Sequence, residues 1–282
     1  MFDLSLISST LTALTPILFA ALAGALCQRA GVFNISLEGT LLVGCFAAVA
    51  GSWYTGSAWL GVLTAVLASA AYSLILAVGS VTFGGDAIVI GVAANLLAVG
   101  LTSFLIRTVF GTEGAFSDPA LAGLDPVLGQ SLLVYLSWLA VAAFAVLLYR
   151  HPWGLRLRGV GERPLAARTL GVSVTKYRYW AIIAGGALCG LGGAQLALGS
   201  VTLFAENMTA GRGWIAVVAV MLGRATPIGV LLAALLFGLA EALGFRLQGI
   251  GLPQQATDAA PYLVTLVALF LSSRRNRVSV QG

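Results

Sequence analysis

Four polar side chains lie within otherwise apolar stretches, and these are the residues of this chain best suited to do chemistry. Asn34 and Glu38 stand near the start of one stretch, Asn95 lies inside another, and Glu241 stands between two alanines. In hydrophobic surroundings such groups cost roughly a few kcal/mol each, so they normally face a partner or a water-filled path. They are suited to hydrogen-bonding a polar solute or to coupling its passage to a proton or sodium ion.

Each of these groups also has a structural interpretation. Asn34 is suited to cap the helix that follows it, and Glu38 would complement the positive end of the same helix; for both residues this role is favoured over solute contact. Asn95 can equally well face a solute or hydrogen-bond a neighbouring helix. Glu241 has the stronger claim on a solute, with pairing to Arg246 about one turn further on as the alternative.

Two apolar stretches, residues 35–50 and 214–222, are short and flanked by glycine, one in each half of the chain. This pattern is typical of helices broken around a transported solute. Phe46, Trp214 and Phe237 could stack on a planar or sugar-like solute, although packing against lipid or another helix is the favoured interpretation of each.

A search for enzymatic motifs finds none. Lys176 is the only lysine and follows a threonine, so the phosphate-binding pattern G-x-x-x-x-G-K-[ST] is absent. His151 is the only histidine, no G-x-S-x-G occurs, and the three cysteines share no metal-ligand spacing. We therefore expect no catalytic residue and no metal site in this chain; if ATP powers it, another subunit hydrolyses the ATP.

The composition defines the elements that must position these residues. Hydrophobic residues make up 59% of the chain, charged residues 9%, and the mean hydropathy is +0.99, which indicates an integral membrane protein. Continuous apolar runs near the ~20 residues that cross a bilayer predict helices rather than barrel strands. The predicted fold is an all-α polytopic bundle of about nine spans, within a range of eight to ten, at residues 6–26, 35–50, 59–83, 87–106, 132–149, 180–198, 214–222, 228–247 and 261–271.

Basic residues predict the orientation, because they prefer cytoplasmic loops. A basic island at residues 151–178 is too polar to enter lipid, and placing it inside puts the N-terminus outside and the C-terminus inside. The net charge of +5 then follows from topology within a lipid bilayer, and nucleic acid is excluded as a partner. The basic residues assigned to the cytoplasm are Arg29, Arg150, Arg156, Arg158, Arg163, Arg168, Lys176, Arg178, Arg224, Arg274, Arg275 and Arg277, against Arg107, Arg212 and Arg246 outside.

Several blocks of residues together resemble one family. Residues 29–39 read R-A-G-V-F-N-I-S-L-E-G, and residues 91–102 read G-V-A-A-N-L-L-A-V-G-L-T. Further blocks are G-L-R-L-R at 154–158, G-E-R-P-L-A-A at 161–167, G-R-G at 211–213, L-G-R-A-T-P at 222–227 and P-Y-L at 261–263. This set resembles the permease subunits of ATP-binding-cassette (ABC) importers for simple sugars, nucleosides and branched-chain amino acids, and is most similar to the short nucleoside-type permeases.

The resemblance implies partners and a function. It implies a bacterial inner-membrane permease for a nucleoside or related purine or pyrimidine compound, with ATP and Mg on a partner ABC ATPase and no cofactor in this chain. It also implies a second, different permease subunit and an extracytoplasmic solute-binding protein or lipoprotein. A monosaccharide permease is the alternative within the class; a stand-alone ion-coupled secondary transporter using Glu38 or Glu241, or a structural scaffold, are alternatives outside it.

The basic island acquires a role from the same resemblance. The whole chain, 1–282, is expected to form one transmembrane domain with an ATPase-coupling loop at 150–178 and an external loop at 107–131. Pro164 to Leu170 predicts a short helix, with Pro164 in its first turn and Gly171 at its end. By resemblance this is the helix that docks on the ATPase, and the residues assigned to that contact are Gly161, Glu162, Arg163, Pro164, Leu165, Ala166, Ala167, Arg168, Leu170 and Gly171.

Overall fold

Helices form nearly all of the secondary structure in the computed structural model, which describes residues 4–248. Long apolar runs build these helices because, in lipid, a helix satisfies its own backbone hydrogen bonds. The helices are α1 (Leu4–Arg29), α2 (Leu37–Thr55), α3 (Ala58–Ala77), α4 (Ala87–Phe110), α5 (Leu132–Tyr149), α6 (Pro152–Glu162), α7 (Pro164–Thr169), α8 (Val174–Ala194), α9 (Arg212–Leu222) and α10 (Pro227–Gln248). The π-helical turns Val78–Thr82 and Gln195–Ser200 extend α3 and α8.

Seven helices within the described residues are long and apolar enough to cross a membrane. They correspond to α1, α2, α3, α4, α5, α8 and α10, while α9 is apolar but shorter. The predicted span at residues 261–271 lies outside the described residues. The all-α, multi-pass prediction is confirmed, and the count of nine spans and the orientation stay predictions.

Some predicted boundaries are wrong. The stretch at residues 35–50 was predicted to be short, but α2 has 19 residues because it continues through Ser52 to Thr55. Helix α8 begins at Val174, not at residue 180, since polar residues of the basic island form its first turns. The same island contains α6, an amphipathic helix that apolar run length does not reveal.

Two short strand pairs lie between the helices. Strand β1 (Ala115–Phe116), just after α4, pairs antiparallel with β4 (Phe204–Ala205), after α8. Strand β2 (Pro126–Val127) pairs with β3 (Gln130–Ser131). We call this side of the bundle the loop end, and the side with the end of α1, α6 and α7 the basic end. Aromatic rings pack together at the loop end: Phe46, Trp53, Tyr54, Phe110, Phe116 and Phe204.

Glycines of α8 allow three helices to pack closely. A Cβ at Gly190 would lie 2.5 Å from the Ala65 carbonyl oxygen of α3, and one at Gly193 would lie 2.6 Å from the Leu41 carbonyl oxygen of α2. Gly186, one turn before Gly190, faces α3 as well. The G-x-x-x-G spacing of α8 therefore packs helices within the subunit, as small residues do in membrane bundles.

Gly190→Ala is expected to lower the free energy of unfolding by about 1–3 kcal/mol, because the added methyl group meets backbone that must shift. Gly100→Ala in α4 is the matched control, since no heavy atom lies within 4 Å of its added Cβ. Thermal unfolding of both purified variants in detergent measures the difference. Equal transition temperatures for the two would contradict the packing argument.

Candidate functional site

Helix α9 crosses only part of the bundle. At its end, Arg29 donates from Nε to the Ala225 carbonyl (2.8 Å) and from Nη2 to the Arg224 carbonyl (3.0 Å), so α9 ends at the basic end. Its 11 residues span about 16 Å. That length is about half of the ~30 Å thickness of a hydrocarbon layer. Residues 206–211, which precede α9, are not helical and lead inward from β4 at the loop end.

Glu38 binds the first turn of α9. Its Oε1 accepts hydrogen bonds from the Thr209 hydroxyl (2.6 Å) and the Gly211 amide (2.9 Å), and its Oε2 accepts one from the Gly213 amide (2.6 Å). These amides have no partner inside their own helix, and the partial positive charge there favours a carboxylate. Glu38 lies in the first turn of its own helix α2, as predicted, and it also complements the start of α9, which was not predicted.

The glycines around Arg212 make this contact possible. Gly211 has φ of +86°, a conformation that a side chain would strain. A Cβ on Gly213 would meet the backbone of Glu38 more closely than real Cβ atoms approach any neighbour. The sequence Gly-Arg-Gly therefore turns the chain into α9 and admits the carboxylate.

Arg212 pairs with Glu241 across the bundle. Its Nη2 donates to Glu241 Oε1, and its Nη1 donates to the carbonyls of Met208 (3.2 Å) and Thr209 (3.3 Å). The alternative pairing of Glu241 with Arg246 is wrong: the tertiary partner lies on α9, and Arg246 Nη2 donates to the Ser5 hydroxyl. We call the residues Glu38, Thr209, Arg212 and Glu241 the central polar cluster.

Two buried polar atoms of the central polar cluster make no hydrogen bond to the described part of the chain. Arg212 Nε and Glu241 Oε2 are both buried and have no hydrogen-bond partner among the described residues. Side-chain exposure is only 15% for Arg212 and 10% for Glu241, so bulk water does not hydrate the pair freely. A buried free donor and a buried free acceptor are suited to hydrogen-bonding a polar solute or an ordered water molecule.

The two asparagines support the start of α2. Asn34 Oδ1 accepts from the amide (2.9 Å) and hydroxyl (2.8 Å) of Ser36, which is itself the N-cap of α2; the predicted capping role of Asn34 is therefore wrong by two residues. Asn95 accepts from the Gly39 amide (2.8 Å) and donates to the Ile35 carbonyl (3.0 Å). Asn95 makes the helix-to-helix bonds of its structural alternative, and solute contact by either asparagine stays a prediction.

The three candidate aromatic residues lie in different surroundings. Phe46 is buried against Phe110 and Phe204, and Phe237 is fully buried in α10. Trp214, in the first turn of α9, is 42% exposed. Of the three, Trp214 alone presents a large exposed surface.

Helix α7 is the predicted short helix, with Pro164 in its first turn and Gly171 in a left-handed conformation just after it. Ala167 is buried, whereas Leu165 and Leu170 are 76% and 82% exposed. Exposed leucines at both ends of a short helix suit insertion into a groove of another protein. The other residues predicted for ATPase contact surround them: Gly161 and Glu162 at the end of α6, Arg163 between the helices, and Ala166 and Arg168 in α7.

Arg212, Thr209 and Ser36 are site residues that the sequence prediction missed. Arg212 carried the strongest available signal, because a charged residue between two glycines precedes a short apolar run. No such signal marks Thr209 and Ser36 in the sequence, because their roles depend on hydrogen bonds to Glu38 and Asn34 that only the folded structure shows.

The fold is that of ABC-transporter membrane subunits. A solved ABC transporter of metal-chelate type, in an inward-facing conformation, superimposes with a TM-score of 0.57 at 19% identity, covering 95% of this chain and 91% of that chain. Residues 6–271 match the family described as "Branched-chain amino acid transport system / permease component". The chain belongs to this family of permease components, which confirms that it is a multi-pass membrane transport subunit and not an enzyme.

Several members of the family are similar over nearly the whole chain. The guanosine ABC transporter permease protein NupQ of Bacillus subtilis is 36% identical, covering 94% of this chain and 90% of that protein. The nucleoside ABC transporter permease protein NupC of Lactococcus lactis is 34% identical over 91% and 88%. The glucose ABC transporter permease protein TsgB13 of Haloferax volcanii is 29% identical over 97% and 79%.

Proposed function

We propose that this chain lines the membrane passage of an ATP-driven importer for a nucleoside or a related purine or pyrimidine compound. The observation that carries the proposal is the discontinuous α9, whose first turn presents the central polar cluster at mid-bundle depth. Broken helices of this kind surround solutes in membrane transporters. The relatives named for guanosine and nucleosides support the solute class.

The chemistry of the cluster fits such a solute. Nucleosides are uncharged and carry hydroxyl and amide groups, which match the unused donor of Arg212 and acceptor of Glu241. Trp214 follows Arg212 by two residues, and its exposed ring is suited to stacking on a planar base. The full set of proposed path residues is Asn34, Glu38, Phe46, Asn95, Trp214, Phe237 and Glu241, with Arg212 added by its contact to Glu241.

The basic end provides the connection to ATP. In this proposal the loop 150–178, with α7 at its centre, docks on an ABC ATPase that holds ATP and Mg. Closure of the ATPase dimer then displaces α7, and the packed helices change the side to which the passage opens. This chain binds no cofactor itself.

The wider assembly is part of the same proposal. The chain forms one transmembrane domain over residues 1–282, with nine spans, the N-terminus outside and the C-terminus inside a bacterial inner membrane. A solute-binding protein or lipoprotein delivers the solute to the external loop 107–131, and a second, different permease subunit completes the passage. The positive-inside distribution of basic residues and the family membership support this arrangement.

A monosaccharide permease is a second candidate, favoured by the similarity to the glucose permease protein. The ribose of a nucleoside and a free sugar offer similar hydroxyl groups to the central polar cluster. The two candidate solutes therefore differ in the base, which only a nucleoside offers to Trp214. Competition of nucleoside uptake by free bases points to nucleoside transport, whereas competition by monosaccharides alone points to sugar transport.

Replacing residues 162–170 with a Gly/Ser loop is expected to abolish ATP-dependent uptake while sparing membrane insertion, because it removes α7 and leaves every long apolar helix intact. Uptake of labelled nucleoside into proteoliposomes of the complete complex, with co-purified ATPase and second permease, measures this. A secondary transporter would keep its uptake after the replacement, and a scaffold would show none before or after it; either result contradicts the proposal.

A further inference from the structure

Both ends of α9 are held by one short piece of chain, residues 29–38, which we call the α1–α2 link. Arg29 binds the carbonyls just after α9, and Glu38 binds the amides and the hydroxyl at its start. These two residues are nine positions apart in sequence. Polar contacts at both ends therefore join the link to α9.

Helix α6 rests directly on this link. A Cβ on Gly161, in the last turn of α6, would collide with the Arg29 carbonyl, and a Cβ on Gly31 would lie 3.1 Å from Gly161 Cα. Arg178 Nε, in α8, donates to the Ala30 carbonyl (3.3 Å). The contact is backbone against backbone, so no flexible side chain can absorb a displacement of α6.

Hydrogen bonds within the α1–α2 link and from α4 hold the link in place. Asn34 holds Ser36 through two hydrogen bonds, and Asn95 holds the Ile35 carbonyl and the Gly39 amide. A rigid segment transmits a displacement from one end to the other, whereas a flexible segment would absorb it. Contacts therefore run without a gap from α6, through the link, to the first turn of α9 and its central polar cluster.

We propose that the α1–α2 link is the relay that carries the displacement of α6 and α7 to α9, with Gly161 and Arg29 as its positioning residues. The inference rests on the proposed ATP-driven function. It names the contacts through which a displacement at the basic end reaches the start of α9. ATPase closure moves α6 with α7; Gly161 pushes the turn at Arg29 and Gly31; the link shifts α9 and alters the central polar cluster.

Gly161→Ala tests the relay, with Gly159→Ala two residues earlier in α6 as its control, because the Cβ added at Gly159 meets nothing within 4 Å. The measured quantity is solute transported per ATP hydrolysed by the complete complex in proteoliposomes. Gly161→Ala is expected to lower this ratio about tenfold while ATP hydrolysis continues, since the wedge displaces α6 from the link. Gly159→Ala should keep the ratio of the unmodified complex.

Arg29→Gln provides a second test, which remains decisive if Gly161→Ala fails to assemble. Losing the two guanidinium bonds to the end of α9 is expected to lower the same ratio about tenfold, the effect of one charge-assisted contact. Asp86→Asn is the control, because it removes one exposed charge while its carboxamide oxygen can still accept the hydrogen bond from the Ile88 amide.

The outcomes separate the relay from its alternatives. A normal ratio in assembled Arg29→Gln complexes overturns the relay, and so does an equal fall of transport and ATP hydrolysis, which indicates a merely structural role. Absence of ATP-dependent uptake in the unmodified complex overturns the proposed function itself, and the relay with it. A reduced ratio in the test variants, with both controls normal, supports the relay.

Discussion

Arg212→Met is expected to lower the free energy of unfolding by about 3–5 kcal/mol, because it leaves the Glu241 carboxylate buried without its counter-charge. Uptake should be lost as well, since Arg212 also fixes the start of α9 through the Met208 and Thr209 carbonyls. Denaturant unfolding in detergent measures the first effect, and nucleoside uptake by the reconstituted complex measures the second.

A double variant and a surface variant control this experiment. Replacing both partners, Arg212→Met with Glu241→Leu, should recover much of the lost stability but not the uptake, because an apolar pair packs well yet offers no polar group to a solute. Arg107→Met breaks an exposed pair with Glu113 and should cost about 0–1 kcal/mol. If the single and double variants were equally unstable, the pairing of Arg212 with Glu241 would not be the cause.

Glu38→Ala is expected to cost about 3 kcal/mol or more, because it leaves two amides and a hydroxyl at the start of α9 without an acceptor. Uptake should fall at least about tenfold, because α9 is released at mid-bundle. The stability and uptake of Glu38→Gln should lie between those of the unmodified chain and those of Glu38→Ala. The carboxamide oxygen of glutamine still accepts a hydrogen bond but carries no charge.

The graded series is the internal control for this prediction. Alkylation of a cysteine introduced at Ala216, which is fully buried in α9, reports how firmly this helix is held. The labelling rate should be lowest with Glu38 unmodified, higher in Glu38→Gln and highest in Glu38→Ala. Glu113→Ala removes an exposed carboxylate and should leave labelling unchanged. Equal labelling in all variants would show that Glu38 does not anchor α9.

Sequence alone predicted the apolar helices well and their polar extensions poorly. The cores of α3, α4 and α5 follow from run length, because a helix must be about 20 apolar residues long to cross lipid. Helix α8 begins six residues before its predicted start, because Lys176 and Arg178 continue a helix beyond its apolar part. Helix α6 is hidden for a related reason: its three glycines and two arginines resemble a loop, and only packing of Leu157 and Val160 selects the helix.

The candidate site shows the same division between local and tertiary information. Polar residues in apolar stretches correctly marked Glu38 and Glu241 as unusual, because the cost of burial depends on local sequence. Their partners did not follow from local sequence: Glu38 bonds to Gly211 and Gly213, far along the chain, and Glu241 bonds to Arg212 on another helix rather than to its near neighbour.

The shortness of α9 has a consequence for biogenesis. Eleven residues cannot span a bilayer, and the segment before them leaves backbone amides that lipid cannot satisfy. This part of the chain therefore cannot leave the translocon as an independent helix. It enters the membrane only once α1 and α2 are in place to supply Arg29 and Glu38. These two helices are synthesised before α9, so the order of synthesis matches the order that assembly requires.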